Sequence, residues 1–126
     1  MPIEDLQQSP MMNHLVEALH QGENIGHYGR LVFVMVGQYF LPEHELIELL
    51  TKDPDCDEEK ARGIIKQVEA HHYNPPKPDR ILAWMKEQDF AICNPEDQDA
   101  CNVYKSLKFP PDVYERIATY YQGSRQ

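Results

Sequence analysis

The chain has 126 residues, 21 acids against 12 lysines and arginines, and a formal charge of −9. That length suits one domain with a real core, while the acidic balance excludes non-specific nucleic-acid binding over the whole surface, which needs basic side chains to neutralise phosphates. No apolar run approaches the roughly 18 residues that span a bilayer, no basic-then-apolar leader opens the sequence, and three cysteines are too few for a disulfide framework, so a cytoplasmic protein with reduced thiols is expected.

Residues 1–9 read as a flexible arm. Ser9-Pro10 supplies an N-cap and a proline at the first helical position. Met12, Leu15, Val16 and Leu19 then share one face of a helix over about 10–20, which Gly22 ends. The next stretch, from His20 to Phe40, contains the most apolar run in the chain, Leu31 to Val36. Its β-branched residues would suit a strand, but no second β-rich run offers a partner. It is therefore read as a central helix over about 27–40, apolar nearly all round and enclosed by other helices. His27 and Arg30 fall at its first turn, where outward N–H groups attract anions.

Pro42 opens a third helix with Leu46, Ile47, Leu49 and Leu50 inside. Asp53-Pro54-Asp55-Cys56-Asp57 is a turn, and Asp55 with Glu58 fits a loose capping box. A fourth helix over about 57–71 carries Ala61, Ile64, Ile65, Val68 and His72 at helical spacing. Tyr73-Asn74-Pro75-Pro76-Lys77-Pro78 breaks it. A fifth helix is expected over 79–88, a short extended piece at 90–93, a sixth helix over about 96–107 and a seventh over about 111–121. Residues 122–126 form a tail. The expected fold is all-α: one compact domain over 10–121, with six to seven helices around the buried helix 27–40.

Three constellations carry possible chemistry. In His27-Tyr28-Gly29-Arg30, Arg30 can hold a phosphate with two parallel hydrogen bonds; alternatively, Gly29 permits close helix packing and Arg30 pairs with one of the many acids. Cys93 and Cys101, separated by seven residues, read as unpaired thiols; zinc with His71 and His72 and a Cys93–Cys101 bridge are the alternatives. The acids Asp53, Asp55, Asp57, Glu58 and Glu59 lack the glycine and terminal glutamate of a calcium loop and read as a solvated helix start. No nucleophile elbow, phosphate loop or catalytic triad is present. The residues alone thus point to an acidic helical binding module.

The order of motifs resembles the C-terminal iron–sulfur domain of the archaeal and eukaryotic DNA primase large subunit, and the small domains of plasmid and phage primase-polymerases and primase–helicases. The segments that carry the likeness are Pro10 to Leu19, His27-Tyr28-Gly29-Arg30-Leu31, Pro54 to Lys60, and Tyr73-Asn74-Pro75-Pro76, with Cys93 and Cys101 in the late cluster positions. The likeness spans roughly residues 9–110. That family ligates its [4Fe–4S] cluster with four cysteines; here Met11 and Pro78 stand where two of them belong. The resemblance therefore implies a relative that has lost the cluster and keeps no cofactor, with Cys93 and Cys101 as remnants.

It further implies a domain without chemistry of its own, which assists a primase catalytic subunit or fused primase-polymerase domain in primer initiation. Its partners would be a nucleoside triphosphate and single-stranded DNA template, with no membrane. The nucleotide or template site would comprise His27, Tyr28, Arg30, Tyr73 and Lys77, with Trp84 as a further stacking candidate. Gln38 stands where the family has a lysine. Arg62, Lys66, Arg80, Lys86, Lys105 and Lys108 supply further basic charge for a groove. An acidic protein–protein adaptor that keeps the scaffold but not the nucleotide site is the alternative.

Overall fold

A computed structural model describes residues 2–71, 73–94, 96–97 and 100–115. Seven helices are complete among them: α1 (Pro2–Leu6), α2 (Pro10–His20), α3 (Gly26–Gly37), α4 (Glu43–Leu50), α5 (Glu58–His71), α6 (Pro78–Met85) and α7 (Val103–Ser106). Residues 111–115 are helical as well, and the described residues contain no strand. The all-α expectation holds. The expected position of His72, the part of the expected helix 111–121 beyond residue 115, and the tail 122–126 lie outside the described residues.

The architecture follows from α3. Residues Gly29 to Gly37 are all buried, with Val32, Phe33, Val34 and Val36 fully so. Each such side chain contributes about 1.5–3 kcal/mol by leaving water. A helix apolar on every side needs neighbours on every side, and α3 packs against α2, α4, α5 and α6. Gly37 lies at a close approach, where an added Cβ would stand 3.0 Å from Leu46 of α4.

The flanking helices are amphipathic and start where their caps dictate. Ser9 Oγ accepts from the Met12 N–H at 3.3 Å, with Pro10 at the first helical position. Gly22, at φ 75°, closes α2 in the left-handed conformation. The cap of α5 differs from expectation: Asp57 Oδ1 accepts from the Lys60 N–H at 2.8 Å, and the Asp55 amide turns back to Asp53 Oδ1.

Three further expectations are corrected. Where a flexible arm was expected over 1–9, Pro2–Leu6 form α1, and Leu6 and Ser9 are fully buried. Among the described residues of 96–107, only α7 is helical, and just before it Cys93 and Cys101 stand 5.5 Å apart between Cα atoms and form a disulfide. The two thiols are therefore paired, and Cys56 is the free cysteine. The apolar spacing of Val103, Tyr104 and Leu107, which suggested a long helix, instead anchors an irregular segment. Phe109 completes the anchor, with its ring 5.4–5.9 Å from those of Tyr39, Phe40 and Tyr104.

The entry to α3 is set by one glycine. Gly26 has φ 79°, and a Cβ there would stand 2.5 Å from Gln88 Oε1. Gln88 cannot step aside cheaply, because its amide accepts from the Tyr28 N–H and donates to the carbonyls of Ile25 and Phe90. Gly26→Ala is expected to lose about 1–3 kcal/mol, from the left-handed backbone and the displaced amide. Urea unfolding measures it, and in a Gln88→Ala background the penalty should shrink toward the backbone cost alone. A loss under about 0.5 kcal/mol in the parent chain would contradict this account.

Candidate functional site

The first turn of α3 had two readings, an anion site with open N–H groups and an Arg30 paired with an acid, and the geometry matches the second. The Gly26 N–H donates to Asn24 Oδ1 at 2.9 Å, and the Tyr28 N–H to Gln88 Oε1 at 2.9 Å. Arg30 is 2% exposed and points into the protein. Its Nη1 donates to Asp53 Oδ2 at 2.9 Å and to Asn24 Oδ1 at 3.2 Å, and its Nη2 lies 3.6 Å from Asp55 Oδ2. Asp53, 1% exposed, also accepts the Ile25 N–H at 3.0 Å on Oδ2 and the Asp55 N–H at 2.8 Å on Oδ1. The pair thus fastens the α2–α3 loop, the start of α3 and the α4–α5 turn to one another. Among the buried side-chain nitrogens and oxygens of the described residues, Nε of Arg30 alone lacks a hydrogen-bond partner.

His27 stays exposed on the next position of the helix. Partial burial, the Arg30 charge and the Lys60 charge hold its imidazole below the usual histidine range. Any positive charge it offers an anion therefore fades at lower pH than for a free imidazole. Its ring meets Tyr28 edge-on at 5.2 Å.

Tyr28 leads to a second arrangement. Its ring stacks on Trp84 of α6 at 5.4 Å and 14°, and the Arg80 guanidinium lies 5.8 Å from the Trp84 centroid. Trp84 and Arg80 of α6, the preceding segment with Tyr73, Pro75, Pro76 and Lys77, and Tyr104 of α7 line a groove of about 440 Å³. The two prolines are buried and stiffen that preceding segment. Tyr73 is stacked on His71 at 5.2 Å and 16°. The Tyr104 hydroxyl donates to the Pro75 carbonyl, tying α7 to the proline segment.

The structure therefore brings Tyr73 and Lys77 into one groove with Trp84 and Arg80, joins Tyr28 to it through a ring stack, leaves His27 at the far side of Tyr28, and puts Arg30 inside the fold. Flat aromatic faces beside two cations can stack a base and pair with a phosphate. The groove carries Lys77 and Arg80 against Asp79, a local excess of positive charge in a chain of −9. A wider, open hollow at the α4–α5 turn has the opposite character, with Glu48, Asp53, Asp55, Asp57 and Glu58 against Lys60. Sequence reasoning missed Asp53, Gln88 and Tyr104 as the partners that shape these sites. Each acts across a long separation in sequence that no local spacing reports.

Over 111 residues the chain is 28% identical to the DNA primase large subunit PriL of Thermoplasma volcanium, a match covering 84% of this chain and 32% of that protein. This similarity supports a relationship to primase large subunits. The chain spans about a third of that relative's length. No family model and no solved structure matches.

The primase likeness raises the question of a cluster. Met11 and Cys93 line one surface cavity of about 420 Å³, together with His14, so two of the positions assigned to ligands do meet. The donors there do not fit a four-thiolate cluster. Cys93 is bonded to Cys101, Met11 has no thiolate, and Pro78 opens α6. Among the described residues no three histidine, cysteine or carboxylate side chains converge to hold a metal.

The buried pair makes a direct prediction. Arg30→Ala should destabilise the fold by about 3–5 kcal/mol, because Asp53 is left buried without its cation. Asp53→Ala should cost about as much, and the paired replacement Arg30→Met with Asp53→Leu should recover much of it. Thermal or urea unfolding of the four chains checks this. Single substitutions costing under about 1 kcal/mol would mean that the pair is solvated.

Proposed function

We propose that this chain is a non-catalytic accessory domain of a DNA primase or primase-polymerase, and that it holds the initiating nucleoside triphosphate or the single-stranded template in the groove between Tyr73–Lys77 and Arg80–Trp84. The observation that carries this reading is the groove itself. Residues singled out for stacking and phosphate pairing converge there from two segments, in the part of an acidic protein where the charge turns positive. The similarity to a primase large subunit supports the primase-associated role.

Within this reading, Trp84 and Tyr73 offer their faces to a base, and Lys77 and Arg80 offer charge to a phosphate. His27 and Tyr28 support the groove from behind Trp84. Arg30 positions the start of α3 and does not touch the ligand. A catalytic subunit, separate or fused, supplies all bond chemistry, and the domain needs no cluster. The acidic hollow at the α4–α5 turn favours a second reading, an adaptor that binds a basic segment of a partner protein and no nucleotide.

Arg80 is exposed, so Arg80→Ala tests the proposal without disturbing the core. With the cognate catalytic subunit present, Arg80→Ala with Lys77→Ala should slow primer initiation about tenfold and spare elongation, while Lys66→Ala on α5 changes neither. The loss of one aromatic–base stack is about 1–3 kcal/mol, and Trp84→Ala should weaken binding correspondingly. Binding should also fall as salt rises. If nucleotide and template binding and initiation are unchanged in Arg80→Ala with Lys77→Ala, the adaptor reading replaces this one.

A further inference from the structure

We propose that the Cys93–Cys101 disulfide is a thiol-exchange site, and that its reduction by a dithiol releases the Tyr104 side of the groove. The proposal concerns the shape of the groove and holds whichever ligand the groove takes.

Three observations lead to it. First, one end of the disulfide borders a surface cavity. Cys101 is fully buried and Cys93 is 5% exposed, but Cys93 lines that cavity with Met11, His14 and Asn94. A small thiolate entering the cavity meets the Cys93 end first, which makes Cys101 the leaving group. Second, the disulfide stands immediately before the element that closes the groove. Cys101 is followed by Asn102, whose side chain caps Tyr104 at 3.0 Å, and by the four residues of α7. A single helical turn has little stability of its own and keeps its place through what holds its ends. The disulfide holds one end, and the Phe109 aromatic cluster holds the other. Third, Tyr104 connects the turn to the proline segment, since its hydroxyl donates to the Pro75 carbonyl. Tyr104 and Trp84 line the same groove. The path from the cavity at Met11 to the groove at Trp84 therefore runs through Cys93, Cys101, α7, Tyr104 and Pro75.

The exchange balances without any group beyond the dithiol. One thiolate of the reductant attacks Cys93 Sγ, forming a mixed disulfide and expelling Cys101 as a thiolate. The second thiol of the reductant attacks its own sulfur in the mixed disulfide and expels Cys93. The reductant leaves as a disulfide, and its two protons end on Cys93 and Cys101. The protein gains two electrons and two protons. A compartment rich in dithiols pushes the site toward the open form.

The test uses the full chain in native buffer with dithiothreitol as the probe. Acid quenching, alkylation in denaturant and mass measurement should show the count of free thiols rising from one to three. In the same samples, deuterium exchange at Tyr73, Asn74 and Lys77, and over 102–107, should speed up about tenfold, while α3 stays protected. Trp84 is the only tryptophan, so its emission should shift in step. Tyr104→Phe should produce most of that shift without dithiothreitol, and Cys93→Ser with Cys101→Ser should show it permanently and ignore the reductant. Reduction that occurs only where denaturant also exposes α3 would overturn the proposal. So would reduction that leaves exchange at 73–77 and 102–107 unchanged, or a dithiothreitol response that survives in the double serine variant.

Discussion

The fold depends on the buried contact between Arg30 and Asp53. Two charges withdrawn from water are costly unless each is well answered. Here the Asp53 carboxylate accepts the guanidinium and two backbone N–H groups, from Ile25 and Asp55. The contact joins segments on either side of α3 and α4 and fixes where α3 begins. Gln88 adds a second tie at the same turn, from the far side of α6. With that turn fixed, Tyr28 emerges at the angle that stacks it on Trp84, and α6 is held against α3. The groove beside Trp84 thus depends on an interior ion pair that lies outside its lining.

This arrangement changes how a histidine–tyrosine–glycine–arginine turn is to be understood in this chain. A helix N-terminus with an arginine looks like a ready anion site. Its N–H groups at Gly26 and Tyr28 are instead engaged by side chains, and its arginine is neutralised by Asp53. The positive charge that lines the aromatic groove stands instead at Lys77 and Arg80. A substitution at Arg30 would then lower activity by damaging the scaffold, and such a loss would not by itself identify a ligand contact.

The helical core was legible because its signals are local. Ser9-Pro10 marks the start of α2, the apolar run marks α3, and the spacing of Leu46, Ile47, Leu49 and Leu50 and of Ala61, Ile64, Ile65 and Val68 marks the inner faces of α4 and α5. Residues 86–94 and 100–110 were not legible, because they are held by a disulfide and an aromatic cluster rather than marked by periodicity. Val103 and Leu107 sit at helical spacing for one turn only. Of the candidate site, Tyr73 and Lys77 were readable from the proline-rich break and from the primase likeness. That Arg30 pairs with an acid was readable as an alternative; which of the 21 acids it meets was not, because nothing local marks Asp53 as its partner. Residues 1–9 misled for a related reason, since a five-residue helix with one buried leucine leaves almost no pattern.

The central claim is that Arg30 builds the scaffold and the Tyr73–Trp84 groove meets the ligand. Titrating the isotope-labelled chain with a short oligothymidylate, and separately with a nucleoside triphosphate, tests it most directly by nuclear magnetic resonance. The account predicts that amide and side-chain shifts concentrate at Tyr73, Lys77, Arg80 and the Trp84 indole, that the Arg30 guanidinium stays unshifted, and that the changes weaken as salt rises. Shifts centred on Arg30 and the first turn of α3, or on the acidic hollow around Asp55 to Glu58, would contradict it.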